Sequence, residues 1–86
     1  MKKVVITGAG SGLGRALALR YSADGAEICV ADVNEQGGKE TVEKITQLGG
    51  SAFFLTCDIT KQWDVDKLAA SLSERWQSVD MLVNNA

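Results

Sequence analysis

Short apolar runs alternate along this chain with longer amphipathic stretches. Lys3–Thr7 is a β-branched run of the kind that forms a buried strand, and a glycine cluster, Gly8–Gly14, follows it. Leu13 to Asp24 has helical spacing, with Leu13, Ala16, Leu17 and Tyr21 predicted to share the packed face and Gly25 to end the helix. Glu27–Ala31 predicts a second strand that ends at Asp32, and Asn34 is a candidate N-cap for a second helix. Val42, Ile45 and Leu48 form that helix's apolar stripe, while Lys39, Glu40, Glu43 and Lys44 face water. Gly37 and Gly38 weaken its first turn, by about 1 kcal/mol each relative to Ala, and Gly49 closes it.

Ser51–Cys57 predicts a third strand, followed by Asp58. Thr60 can cap a third helix whose packed face carries Val65, Leu68, Ala69, Leu72 and Trp76. Val79–Val83 predicts a fourth strand, and Asn84, Asn85 and Ala86 finish the sequence. The order is βαβαβαβ. Strands without polar alternation are buried on both faces, so the pattern predicts a parallel sheet with helices on each side. Right-handed crossovers then make it the first half of a doubly wound α/β fold, with strand order 3-2-1-4. No repeat or linker divides residues 1–86, which read as one domain.

Composition narrows the partners. A net charge of −2 gives no basic footprint for nucleic acid. No run approaches the ~18 apolar residues of a membrane span, and no secretory signal follows Lys2 and Lys3, so the expected location is cytoplasmic. Cys29 and Cys57 sit in apolar strand runs and read as reduced packing residues. With histidine absent, no metal site is expected around them.

The glycine cluster carries the strongest chemical signal. Thr7-Gly8-Ala9-Gly10-Ser11-Gly12-Leu13-Gly14 joins the first strand to the first helix, where a phosphate cradle belongs. Glycines let backbone approach a pyrophosphate closely, and unpaired amides at the helix start point at the anion. The spacing is T-G-x-x-x-G-x-G on Gly8, Gly12 and Gly14; a G-x-G-x-x-G reading fails at Leu13 from Gly8 and at Leu17 from Gly12. A Walker-type loop is excluded because no Lys-Ser/Thr pair follows Gly14. Asp32, at the end of the second strand, can accept from both adenosine ribose hydroxyls and would repel a 2′-phosphate.

This string resembles the cofactor loop of the short-chain dehydrogenase/reductase family, and the resemblance extends over essentially the whole chain. It implies a nicotinamide dinucleotide held by Gly8, Ser11, Gly12, Leu13 and Gly14, with Asp32 and Val33 at the adenosine ribose. It also implies that Asp58 accepts from the adenine amino group and that Ile59 adds a backbone contact. Taken alone, Asp58 reads equally as a turn acid beside Thr60. Leu82-Val83-Asn84-Asn85-Ala86 looks like the family's N-N-A-G motif without its glycine, which implies that Asn85 and Ala86 line the ribose and brace the sheet. NADP-selective relatives carry a cation near the second strand's end or in the loop. Here Ser11 and Val33–Asn34 occupy those positions, so NAD is expected over NADP.

Family members reduce or oxidise substrate with a Tyr-x-x-x-Lys pair and a serine. Tyr21, the single tyrosine, has Gly25 at the lysine position, and its helical spacing assigns it to packing. Ser71 and Ser73 have no base at hand, and Asp64 and Asp66 read as a solvated helix face. No catalytic residue is therefore assigned within the chain. The expected function is the NAD(H)-binding, truncated front part of an oxidoreductase that transfers hydride between the cofactor and an alcohol or carbonyl. A non-catalytic NAD-binding module and an S-adenosylmethionine-dependent methyltransferase fragment are the alternatives. The methyltransferase fits Asp32 but not the glycine spacing or the Asn-Asn-Ala end. The fourth strand is expected to be an apolar edge that pairs with a second copy, or to belong to a homo-oligomeric parent.

Overall fold

A computed structural model of the chain describes residues 1–85. Its elements are β1 (Lys3–Thr7), α1 (Gly12–Ala23), β2 (Glu27–Asp32), α2 (Glu35–Gln47), β3 (Ser51–Thr56), α3 (Gln62–Arg75) and β4 (Met81–Asn84). All strand pairs are parallel and the sheet order is β3-β2-β1-β4, as the alternation of runs predicts. Register aligns the carboxyl ends: Thr7 lies opposite Ala31 on one side and Asn84 on the other, and Asp32 opposite Thr56. The order reverses at β1, so the switch-point crevice opens beyond the ends of β1 and β4.

Strand residues alternate between two cores. Val4, Ile6, Ile28 and Val30 pack with Ala18 of α1 and Ile45 of α2. Val5, Cys29 and Ala31 face the other way and pack with Leu68 and Leu72 of α3 and with Trp76. Side chains such as Ile6, Ile28 and Ile45, each fully buried, contribute about 1.5–3 kcal/mol apiece. Central β1 and β2 are covered on both faces; edge strands β3 and β4 are only partly covered.

Several helix faces differ from those the sequence predicts. In α1 the buried residues are Gly14 and Ala18, with Leu17 and Tyr21 half-buried, whereas Leu13 is 67% exposed and Ala16 is exposed too. The helix is turned so that Gly14 lies against the Gly8 carbonyl and Ala18 packs into the core under the sheet. In α2 Ile45 is buried and Val42 half-buried, but Leu48 is exposed past the helix end, and Gly37, Gly38 and Thr41 complete the packed face. A Cβ on Gly38 would come within 2.3 Å of the Phe54 ring, and one on Gly37 within 2.6 Å of the Gly10 carbonyl oxygen. These glycines therefore let α2 sit close to the sheet and the loop, which outweighs their weak helix propensity. Asn34 does cap α2, its side chain accepting from the Gly37 N–H at 2.9 Å.

In α3 Leu68 and Leu72 are buried, Val65 is half-buried and Ala69 exposed. Thr60 does not cap this helix; Lys61 holds the cap position without a side-chain bond, and the Thr60 hydroxyl donates to Asp58 at 2.6 Å. Asp64 is not a freely solvated acid: its carboxylate accepts the Asp58 N–H at 2.9 Å. The fourth strand begins at Met81, because Asp80 is occupied in clasping β1: its N–H donates to the Lys3 carbonyl and its carboxylate accepts the Lys3 N–H.

Cys29 and Cys57 are free, buried thiols. Burial pushes Cys29 up from its ordinary 9.0 to about 12 and raises Cys57 as well. The folded state thus favours the protonated Cys29 thiol. That preference contributes fully below the unfolded value and is lost as pH rises from about 9 toward about 12. Replacing Cys29 with Ala should remove this contribution. The stability gap between native protein and Cys29→Ala, measured by urea unfolding, should therefore shrink by about 1.4 kcal/mol per pH unit across that window. A gap independent of pH would contradict the burial argument.

Candidate functional site

The site is assembled where β1 ends. Two residues, Gly8 and Gly12, take positive φ, 67° and 55°, which lets the chain reverse out of the strand and enter α1. Gly8 N–H donates to the Ala31 carbonyl at 2.8 Å, bending the loop over β2. Gly14 lies so close under the loop that a Cβ there would be 2.0 Å from the Gly8 carbonyl oxygen. The N-cap, Ser11, has extended backbone and makes no side-chain cap bond. The amides at the start of α1 have no intrahelical acceptor, as in any helix, and Ser11, Gly12 and Leu13 are exposed there. A loop packed too tightly for a methyl group at Gly10 or Gly14, leading into a helix start with unpaired donors, fits a pyrophosphate.

Asp32 joins the loop to the second helix. One carboxylate oxygen accepts the Gly10 N–H at 2.8 Å and the other accepts the Asn34 N–H at 2.9 Å. Gly10 approaches closely enough that a Cβ would sit 2.8 Å from that first oxygen. Each carboxylate oxygen can accept more than one bond, so Asp32 can hold the loop and still receive a ribose hydroxyl. Val33 beside it is exposed.

The β4 end closes the other side. The Thr7 hydroxyl donates to Asn84 Oδ1 at 3.0 Å and accepts the Asn85 N–H at 3.0 Å. Asn85 Nδ2 reaches the Gly8 carbonyl at 3.5 Å. Gly8, Gly14 and Asn85 are thus brought together, while Ala86 lies outside the described residues. Asp58 stands past the end of β3, its Oδ1 accepting from both the hydroxyl and the N–H of Thr60 at 2.6 and 3.0 Å. Those bonds, with the charge of Lys61, hold its carboxyl below the usual carboxylate range. Its intramolecular bonds are thus those of a turn acid. Ile59 packs partly into the α3-side core.

Arg15 and Thr41 belong to the site and were missed from sequence. Arg15 Nη2 donates to the Gly10 carbonyl at 2.6 Å and the Gly37 carbonyl at 3.1 Å, and its Nε donates to Thr41 Oγ1 at 2.9 Å. The fully buried Thr41 hydroxyl in turn donates to the Ala9 carbonyl at 2.7 Å. Glu40 lies 3.9 Å from Arg15 Nη2. A cation therefore does stand beside the loop and the start of α2, contrary to the sequence reading, but its Nη2 is engaged by two backbone carbonyls and its Nε by the Thr41 hydroxyl. The polar depression around it, about 350 Å³, is lined by Gly10, Ser11, Arg15, Asn34, Gly37 and Glu40, among others.

Among the described residues no group of three or more His, Cys, Asp or Glu could hold a metal ion, and no helix is long and apolar enough to cross a membrane.

Comparisons with known proteins agree with this geometry. A family model described as short chain dehydrogenase matches residues 2–86. The 7alpha-hydroxysteroid dehydrogenase of Escherichia coli is 41% identical over 85 residues, which covers 99% of this chain and 33% of that protein. An uncharacterized oxidoreductase of Thermotoga maritima is 42% identical with the same coverage. Among solved structures, hydroxysteroid dehydrogenase from Escherichia coli superimposes with a TM-score of 0.95 at 41% identity, covering 99% of this chain and 36% of that one. A citronellol catabolism dehydrogenase of Pseudomonas aeruginosa reaches 0.96 at 32% identity, with the same coverage. The chain spans about a third of the length of the curated relatives it matches.

Proposed function

Because the chain belongs to the short-chain dehydrogenase family, we propose that residues 1–86 are the N-terminal dinucleotide-binding half of a Rossmann domain. In this reading the parent protein is a cytoplasmic oxidoreductase. It transfers hydride between NAD(H) and an alcohol or carbonyl substrate. The observation that carries the reading is the Gly8–Gly14 loop, too tight for a methyl group at Gly10 or Gly14 and fixed to Asp32 through the Gly10 N–H at 2.8 Å.

The loop residues Ser11, Gly12, Leu13 and Gly14 hold the pyrophosphate through backbone amides, and Gly8, whose own N–H is taken by the Ala31 carbonyl, turns the chain so that they face it. Asp32 accepts from the adenosine ribose, with Val33 beside it. Asp58 offers its second carboxylate oxygen to the adenine amino group, and Ile59 lends backbone. Asn85 and Ala86 line the ribose from the β4 side. When bound, the nicotinamide supplies hydride exchange; the residues named here bind and orient its adenosine diphosphate. NAD is preferred over NADP because the Asp32 carboxylate repels a 2′-phosphate, while Arg15 is tied to two carbonyls and a hydroxyl. The names of the relatives, hydroxysteroid and sorbitol dehydrogenases among them, support a hydroxyl-bearing substrate class.

Calorimetry on the full-length protein tests this reading with NAD, NADP, AMP and S-adenosylmethionine. NAD and AMP should bind, with NADP weaker. Preference for S-adenosylmethionine, or absence of NAD binding, would overturn it.

The 86-residue chain by itself should associate through β4. Leu82 is 63% exposed on that edge strand, beside an apolar groove of about 410 Å³ formed with Val5, Leu68 and Leu72. Exposed apolar edges recruit further strands. Sedimentation velocity at high micromolar concentration should show dimers or larger species, and a single monomeric boundary would count against the edge.

A further inference from the structure

We infer that Arg15 is a positioning residue that sets the orientation of the Gly10–Ser11 peptide, so that the Ser11 N–H faces the pyrophosphate. The inference rests on the dinucleotide reading above and assigns to it a residue that acts through the loop backbone.

Every peptide of the described chain is trans, so each carbonyl points opposite to the N–H of the same peptide unit. Arg15 Nη2 holds the Gly10 carbonyl at 2.6 Å, which directs the Ser11 N–H of the same peptide the opposite way, away from the guanidinium. Thr41 does the same one peptide earlier. Its hydroxyl draws the Ala9 carbonyl to 2.7 Å, and the Gly10 N–H on the other side meets Asp32 at 2.8 Å. The Ala9–Gly10 peptide is thus held on both sides, and the Gly10–Ser11 peptide that follows is held at its carbonyl.

The clasp is anchored rather than free to drift. Arg15 Nε bonds Thr41 at 2.9 Å, and Nη2 also reaches the Gly37 carbonyl at 3.1 Å. The guanidinium therefore spans the loop, the first turn of α2 and a buried hydroxyl at once. A planar fork of fixed donors can meet these acceptors together, and a lysine ammonium on its flexible stem cannot. Glycine at position 10 adds to the need for restraint, since a peptide flanked by glycine rotates more freely than others.

The test compares two probes, ADP and adenosine, which share the nucleoside and differ in the phosphates. Binding is measured by calorimetry and NAD competition on the full-length protein, native and with Arg15→Met or Arg15→Lys. Arg15→Met should weaken ADP about tenfold, the worth of one hydrogen bond to an ionised group, and adenosine by less than about twofold. Arg15→Lys should lose about threefold for ADP alone, since one carbonyl can still be reached. If Arg15→Met does not fold, the selective loss in Arg15→Lys carries the test. Equal weakening of ADP and adenosine in the folded variant would reduce Arg15 to general support and overturn the inference. So would unchanged ADP binding in Arg15→Met. Either result leaves the dinucleotide reading intact if native protein binds ADP and NAD. Failure of native protein to bind them would instead sink that reading, and this inference with it.

Discussion

Gly14→Ala should abolish tight dinucleotide binding and lower stability by about 3 kcal/mol or more. The added Cβ would sit 2.0 Å from the Gly8 carbonyl oxygen and 2.7 Å from Asn85 Nδ2. The first neighbour is backbone held by the turn at Gly8, so it cannot swing aside as a side chain would. Helix propensity acts in the other direction, favouring Ala by about 1 kcal/mol, and is outweighed. Relief requires α1 to lift from the loop, which moves the amides that face the pyrophosphate. Gly12→Ala is the internal comparison. Its Cβ meets nothing within 4 Å, and its cost is confined to a positive φ, about 1–2 kcal/mol. Thermal unfolding should rank native above Gly12→Ala above Gly14→Ala. A Gly14→Ala protein as stable as native would mean that loop and helix are not packed as described.

The second large effect concerns Asp32→Ala. The substitution strips the Gly10 and Asn34 N–H groups of their carboxylate acceptor, and hydrogen bonds of this kind are worth about 1.5–3 kcal/mol each. Loosening of the loop weakens NAD and NADP alike. Loss of the ribose acceptor weakens NAD further, while removal of the negative charge favours the 2′-phosphate of NADP. Absolute affinities therefore mix two effects, and the ratio separates them. Affinity for NAD should fall by about tenfold or more, and the NAD/NADP ratio should fall with it. A parallel fall with an unchanged ratio would assign Asp32 to loop support alone.

Parts of the site were legible because they are local. The Gly8, Gly12, Gly14 spacing after a β-branched run marks a strand-loop-helix turn wherever the chain goes next. Asp32 was legible for the same reason, as an acid at a strand end in a βαβ unit. Arg15 and Thr41 were not. Their partners are Gly10, Gly37 and Ala9, and residues as far apart as Thr41 and Ala9 meet only once α2 lies against the loop. No periodicity encodes such a pair, so Arg15 read as one more charged residue on a helix.

The faces of the helices show the same limit. Hydropathy ranks Leu13 above Gly14 as a candidate for burial, yet Gly14 is buried and Leu13 exposed. The reason is distance rather than polarity, because only a residue without a side chain fits where α1 crosses the Gly8 carbonyl. Gly37 and Gly38 were legible only as weak helix formers, and the Phe54 ring and the Gly10 carbonyl explain them.

By itself the sequence determined the alternation of strands and helices, the parallel sheet in order 3-2-1-4, the phosphate-type loop and the family. The elements and the loop follow from the spacing of apolar and glycine residues within a few turns of chain. The strand order adds the handedness of the crossovers, and the family rests on the resemblance of the glycine and Asn-Asn-Ala motifs. The tertiary structure alone decided which helix faces pack, which donors restrain the loop, and that Asp32, Arg15 and Thr41 act on adjacent peptides. Those outcomes depend on angstrom-scale approach between segments remote in sequence, where a single Cβ or a single carbonyl orientation decides the fit.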